Sequence, residues 1–300
     1  MSRKPVKGRR DKAKELTYAV TQEDTLLSFL LANVKGKSRN NLKSLLARRL
    51  VAVDGKPEHR FDHPLTPGQS VTILSVSAPE RDKLPFEILH EDEHIIAINK
   101  PAGLLSIANE KEKERTAYHM VTDYVKNQHM DNRIFVIHRL DKETSGVLLF
   151  ARDEQTKLAF QEGWNERVIR RGYTAVVEGV PREPKGTVRS YLVETSTHMV
   201  FSGDPGPNAK EAITHYRTLK TGHGFSLVDV EIATGRKNQI RVHMKDLGNP
   251  IAGDKRYGSK TNPLGRLCLH AGELILVHPL TGEEVTFRAR TPKEFHRIFR

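Results

Sequence analysis

Residues 138–146 read His138-Arg139-Leu140-Asp141-Lys142-Glu143-Thr144-Ser145-Gly146 and run directly into an unbroken apolar strand, Val147–Ala151. Polar side chains and a glycine make the first part a loop, and the strand ties that loop to a core. Functional side chains favour loops held on a rigid scaffold. Asp141 has the chemistry of a nucleophile or a base. Arg139 carries a permanently charged fork that suits phosphate or carboxylate. One aspartate in one loop, taken alone, more often caps a turn than performs chemistry. The rest of the chain has to decide.

The elements that would hold this loop are legible as patterns. His94–Asn99 reads as a strand ending in the turn Lys100-Pro101-Ala102-Gly103. Asp153 is a helix N-cap for a segment carrying Leu158 and Trp164. Tyr173–Val177 and Phe225–Ile232 read as strands, and Leu274–Val277 with Val285–Ala289 as a hairpin across Thr281-Gly282. From Lys237 to Leu247, Ile240, Met244 and Leu247 give a helical stripe that leaves Arg241 off the core face. A terminal helix starts at Thr291-Pro292. Strands in series with scattered helices predict an α+β sheet domain over 85–300 rather than a βαβ repeat.

Upstream lies a smaller unit. Residues 1–17 form a basic tail too poor in apolar residues to fold alone. Within 18–77, Leu27, Leu30, Leu31 and Val34 mark one amphipathic helix. Ser38 caps a second, whose apolar face is Leu42, Leu45 and Leu46. Strands flank the turn Asp54-Gly55, with a last one over Val71–Val76, and residues 78–84 read as a linker.

The 300 residues include 49 Lys and Arg against 37 Asp and Glu, a net charge of +12. So basic a chain favours a nucleic-acid partner. Cys268 is the single cysteine, which excludes an internal disulfide and a thiolate zinc cage. The 14 histidines show no metal-ligand pairing. No apolar run approaches a membrane span, so the expectation is a cytoplasmic protein without a membrane partner.

These motifs carry a resemblance. H-R-L-D-x-x-T-S-G before an apolar strand is similar to the signature of the RluA-type RNA pseudouridine synthases. Further motifs of that family follow in order. They are Asn99-Lys100-Pro101-Ala102-Gly103, Arg171-Gly172-Tyr173-Thr174-Ala175, the run Thr234–His243 with Gly235, Arg236, Gln239 and Arg241 in place, Gly253-Asp254-x-x-Tyr257-Gly258, and Leu267-Cys268-Leu269-His270-Ala271. One departure stands out: Lys237-Asn238 replaces the Thr-His common in the family. The upstream unit resembles the small α/β RNA-binding domain named after ribosomal protein S-four, with Lys37, Arg39, Lys43, Arg48 and Arg49 as its RNA-facing cations.

The resemblance implies a mixed, mainly antiparallel catalytic sheet and the isomerisation of uridine to pseudouridine in RNA. It implies no cofactor and no metal. Asp141 would be the essential carboxylate, acting either on the anomeric carbon or on a ribose proton. Arg241 would pair with it and Tyr173 would stack on the uracil. Arg139, beside His138, would fill the space vacated by the flipped nucleotide, and Leu267 or Leu269 would wall the pocket. The expected partner is RNA engaged by a monomer, ribosomal RNA ahead of transfer RNA because of the appended module.

Two other classes compete. A non-catalytic RNA-binding or ribosome assembly factor has no need to keep Asp141, Tyr173 and Arg241 together. A nucleoside or glycoside hydrolase needs a second carboxylate, for which no partner motif exists here.

Overall fold

The computed structural model describes residues 16–36, 38–47, 50–74, 84–110 and 112–300, in two compact units divided near Glu80–Arg81. Residues 1–15, the linker up to Lys83, and Lys37, Arg48 and Arg49 lie outside the described residues.

In the first unit the order is β1 (Leu16–Ala19), β2 (Asp24–Thr25), α1 (Leu26–Asn33), α2 (Arg39–Ala47), β3 (Val51–Val53), β4 (Lys56–Pro57), β5 (Pro64–Leu65) and β6 (Ser70–Ile73). An antiparallel sheet runs β1-β6-β3-β4. Leu16 and Thr17, expected in the tail, pair with Ile73 and Thr72 instead. Leu42, Leu45 and Leu46 are buried as the stripe predicts, and the Ser38 hydroxyl accepts from the Asn41 N–H at 3.3 Å. In α1 the stripe shifts: Leu26 and Phe29 are buried while Leu31 is 41 % exposed. Leu31 sits one residue past the buried face, and an eight-residue helix has too few turns for spacing to fix its phase.

The second unit contains β7 (Glu87–Glu91), β8 (Ile95–Lys100), α3 (Ala117–Gln128), β9 (Phe135–Val136), β10 (Ser145–Ala151), α4 (Glu154–Arg167), β11 (Val168–Glu178), β12 (Lys185–Glu194), β13 (Val200–Gly203), β14 (Lys210–Gly222), β15 (Phe225–Ile232), α5 (Gln239–Asp246), β16 (Leu269–Val277), β17 (Glu284–Arg288) and α6 (Lys293–Arg297). One sheet runs β13-β12-β14-β15-β11-β16-β10-β8-β7, with β17 on β16 and β9 on β10. Its pairings are antiparallel except β10 with β16, which run parallel where Ser145 meets His270 and Gly146 meets Ala271. Pro292 is the N-cap of α6 rather than its first helical residue.

Burial explains the unbroken apolar runs. Leu148 and Phe150 of β10, with Ile96 and Ile98 of β8, pack under α3 against Val121 and Val125. Their alternate neighbours Val147, Leu149, Ile95 and Ala97 pack on the other face against Phe160 of α4. A strand covered on both faces has no polar alternation. Each such side chain contributes about 1.5–3 kcal/mol on burial. Leu158 of α4 is exposed, whereas Trp164 packs against the cluster around Phe160. Among the described residues no helix is long and apolar enough to cross a membrane.

Candidate active site

The loop before β10 is held by its backbone. Buried Ser106 donates to the Leu140 carbonyl at 2.8 Å and accepts from the Leu140 N–H at 3.1 Å. The Lys142 carbonyl accepts from the Gly103 N–H at 2.9 Å and from Lys100 Nζ at 3.1 Å. Lys100 is fully buried and also donates to the carbonyls of Leu104 and Pro101, at 2.7 and 3.0 Å. Burial pushes its pKa down to about 7, against the pull of nearby Glu143 and Asp141. Three acceptors for three ammonium protons favour the charged form, so the geometry supports a protonated Lys100 at neutral pH. The Asn-Lys-Pro-Ala-Gly run is therefore the clamp that sets the shape of the Asp141 loop.

Gly146 fixes the loop's far end. Its φ is +117°, and a Cβ there would stand 2.0 Å from the Ala271 carbonyl oxygen across the parallel join. Beside it, Arg266 Nη2 donates to the Ser145 hydroxyl at 2.6 Å, and that hydroxyl meets His270 Nδ1 at 2.9 Å. His270 Nε2 donates to the Ala289 carbonyl at 3.1 Å, which leaves Nδ1 as the acceptor for Ser145. Gly146→Ala is expected to lower unfolding free energy by roughly 3 kcal/mol or more, through backbone strain and overpacking together. Gly103→Ala, at φ +83° in open space, incurs strain alone and should cost about 1–3 kcal/mol. Thermal unfolding of the two variants checks the order.

Asp141 projects into an open cavity of about 420 Å³ that Tyr173, Arg241 and Leu269 also line. Its carboxylate lies 3.9 Å from Arg241 Nη1, with Asp141 27 % and Arg241 12 % exposed. The expected pair is present but is the longer of two. Arg241 Nε and Nη2 each reach Asp254 at 2.7 Å, a two-pronged bond to a carboxylate only 1 % exposed. Arg241 Nη1 also donates to Asn238 Oδ1 at 2.9 Å, and the guanidinium lies 4.8 Å over the Tyr257 ring. Asn238 Nδ2 in turn donates to the Tyr257 hydroxyl at 3.0 Å.

Asp254 and Asn238 are the site residues that spacing did not assign. Asp254 was visible in the Gly-Asp-x-x-Tyr-Gly run. Asn238 sits where this chain departs from the family pattern. It adopts left-handed φ/ψ of 55° and 15° at the start of α5, a conformation asparagine tolerates better than most residues. Gln239, beside it, is buried and satisfied: Oε1 accepts from Thr234 and the Arg236 N–H, and Nε2 donates to Ile213 O and Thr214. That pin aims the first turn of α5, and with it Arg241, at the loop.

The remaining expected residues separate. Burial pushes the Tyr173 phenol up to about 12, with Asp141 adding to the shift, so it presents a neutral ring and hydroxyl to the cavity. Leu269 lines the cavity, whereas Leu267 is buried in the core and does not. Arg139 is exposed at the rim. His138, expected at the substrate, turns away. Its Nε2 accepts from the Leu149 N–H at 3.1 Å and its ring lies 5.3 Å from Trp164. Burial, then nearby Arg171, pushes its pKa down to about 4, so it is a neutral acceptor tying the loop to β10. Arg39 and Lys43 are exposed on α2 of the first unit.

The cavity thus offers a half-exposed carboxylate, a cation fixed from behind, a neutral tyrosine and an apolar wall. Residues 94–246 match the RNA pseudouridylate synthase family. The chain is 32 % identical over 265 residues to ribosomal large subunit pseudouridine synthase C of Rickettsia bellii, covering 86 % of this chain and 87 % of that one. It is 30 % identical to ribosomal large subunit pseudouridine synthase D of Zymomonas mobilis, covering 92 % of each. The solved structure of human RNA pseudouridylate synthase domain containing 4 aligns with a TM-score of 0.58 at 28 % identity, over 70 % of this chain and 90 % of that one. The chain belongs to the RNA pseudouridylate synthase family, RluA-type enzymes that isomerise uridine to pseudouridine within RNA.

Proposed function

We propose that this enzyme isomerises uridines of large-subunit ribosomal RNA as a cytoplasmic monomer, with Asp141 as the acting carboxylate. The observation that carries the reading is the placement of Asp141 in the open cavity, facing an arginine that Asp254 holds in one orientation. The carboxylate attacks the anomeric carbon or removes a ribose proton, and the bond to ring nitrogen 1 breaks. The uracil turns and carbon 5 bonds to the anomeric carbon, as the carboxylate either leaves that carbon or returns the proton it took from the ribose. Carbon 5 then loses its proton and nitrogen 1 ends protonated, so atoms and electrons balance without an added partner.

Arg241 faces the carboxylate with an opposite charge and aims it. Tyr173 gives the uracil a π-face and Leu269 an apolar wall. A base inside a duplex must leave the stack to be reached, and exposed Arg139 at the cavity rim suits the vacated space. The first unit fits an RNA-holding module of the S-four type. Arg39 and Lys43 face solvent, and Lys43 Nζ lies 5.8 Å over the exposed Phe61 ring, a cation and an aromatic set together. The Zymomonas mobilis relative, which matches 92 % of this chain, is named a ribosomal large subunit pseudouridine synthase.

Pseudouridine mapping of total RNA from cells with and without the enzyme tests this. Sites in large-subunit ribosomal RNA should vanish in its absence. Loss confined to transfer RNA would overturn the target, and no loss anywhere would overturn the function.

A further inference from the structure

A second open cavity, of about 450 Å³, shares the Asp141 loop: Asp141 lines the first and Lys142 the second. Its wall is apolar, with Leu104, Leu105 and Met120, and its rim carries Glu112, Arg115 and Lys142. The volume lies in the range of small-ligand sites, about 300–1,000 Å³. Arg115 and Lys142 are exposed, and neither is in a salt bridge among the described residues. Glu112 Oε1 accepts from the N–H groups of Arg115 and Glu114, at 2.9 and 3.1 Å. Those bonds hold its carboxyl below the ordinary range, leaving an ionised acceptor at the cavity mouth. Two exposed cations that bear on the Glu112 carboxylate without a salt bridge, an apolar wall and that one acceptor correspond to the parts of a nucleotide: phosphate, base face and base amino edge.

We propose that this cavity receives the nucleotide immediately adjoining the target uridine in the RNA strand. Its base packs on Leu104, Leu105 and Met120, its phosphate lies between Arg115 and Lys142, and Glu112 accepts from an amino group on the base edge. Drawing one nucleotide out of a stack strips its neighbour of a stacking face. The apolar wall of Leu104, Leu105 and Met120, in a cavity that Lys142 joins to the Asp141 loop, restores that contact, and stacking on protein is worth about 1–3 kcal/mol per base. Carboxylates accept from the cytosine amino group in the same way, so an amino-bearing base is favoured at this place. The inference rests on Asp141 being the acting carboxylate, and its test reads the second cavity without turnover.

The test uses the full chain with Asp141→Asn, labelled at methionine methyl carbons, and a short unstructured ribosomal RNA fragment carrying a uridine that the wild-type chain isomerises. Turnover by the wild type is established first, so a silent second cavity counts against the subsite alone. Met120→Leu identifies the Met120 signal. Bound RNA should shift that signal, and an abasic site on one side of the uridine should abolish the shift while the RNA stays bound. Arg115→Ala should reduce the salt slope of binding by about one, as expected for one lost phosphate contact. A Met120 signal unmoved by bound RNA overturns the proposal. So does a shift that survives an abasic site on either side, or a salt slope unchanged in Arg115→Ala.

Discussion

Asp141→Asn should slow pseudouridine formation roughly a thousandfold or more, the scale of losing a group that handles a bond or a proton. Its stability should hardly change. Asp141 is 27 % exposed and its ion pair is the long one, at 3.9 Å, and partly exposed pairs contribute only about 0–1 kcal/mol. The loop's shape is set by backbone contacts from Ser106, Lys100 and Gly103, none of which involves the Asp141 side chain. Single-turnover assays beside thermal unfolding separate the two quantities. Near-wild-type turnover in a folded Asp141→Asn protein would remove Asp141 from the chemistry.

Arg241 and Arg139 should fail in different ways. Removing Arg241 outright would strand the buried Asp254 carboxylate, at about 3–5 kcal/mol for breaking a buried pair, and stability loss would mask chemistry. Arg241→Lys keeps the charge but loses the two-pronged fork. It should slow single turnover about tenfold to a hundredfold, equally on folded and on unstructured RNA. Arg139 is exposed, so Arg139→Ala should leave stability alone. Unstacking costs a few kcal/mol in a duplex and little in a loose strand. Arg139→Ala should therefore slow folded RNA about tenfold or more and barely affect unstructured RNA. An equal loss on both substrates would leave Arg139 without a role in flipping. An Arg241→Lys enzyme as fast as wild type would detach Arg241 from the mechanism.

What could be read from the sequence depended on range. Asp153 capping α4, the bounds of β15 and the hairpin of β16 and β17 are local, and they appear as expected. The Asp141 loop announced itself because its polar residues end at a strand buried on both faces. Leu267 and Leu269 are two positions apart and would share a face on one strand, so choosing between them required knowing that β16 begins at Leu269 and leaves Leu267 outside it. His138 misled because a polar side chain beside Asp141 satisfies a backbone N–H across the loop instead of facing solvent. Asp254 lies 13 residues after Arg241, and the chain must reverse after α5 to bring the two together. Nothing in side-chain spacing encodes that reversal.

The parallel join that forbids a side chain at Gly146 also constrains how the enzyme comes into being. Ser145 and His270 are 125 residues apart, and closing a loop of that length costs about 4 kcal/mol of chain entropy before any contact repays it. Contacts of such separation form late in folding. As the ribosome extends the chain, the first unit, built from nearby segments, can fold while the second is still being made. The Asp141 loop cannot take its working shape until β16 has emerged. A chain cut short before Ala271 would carry the first unit and most of the sheet's residues, yet lack the parallel join beside the Asp141 loop. The shape of that loop therefore arrives as one late event, when the last long-range join closes.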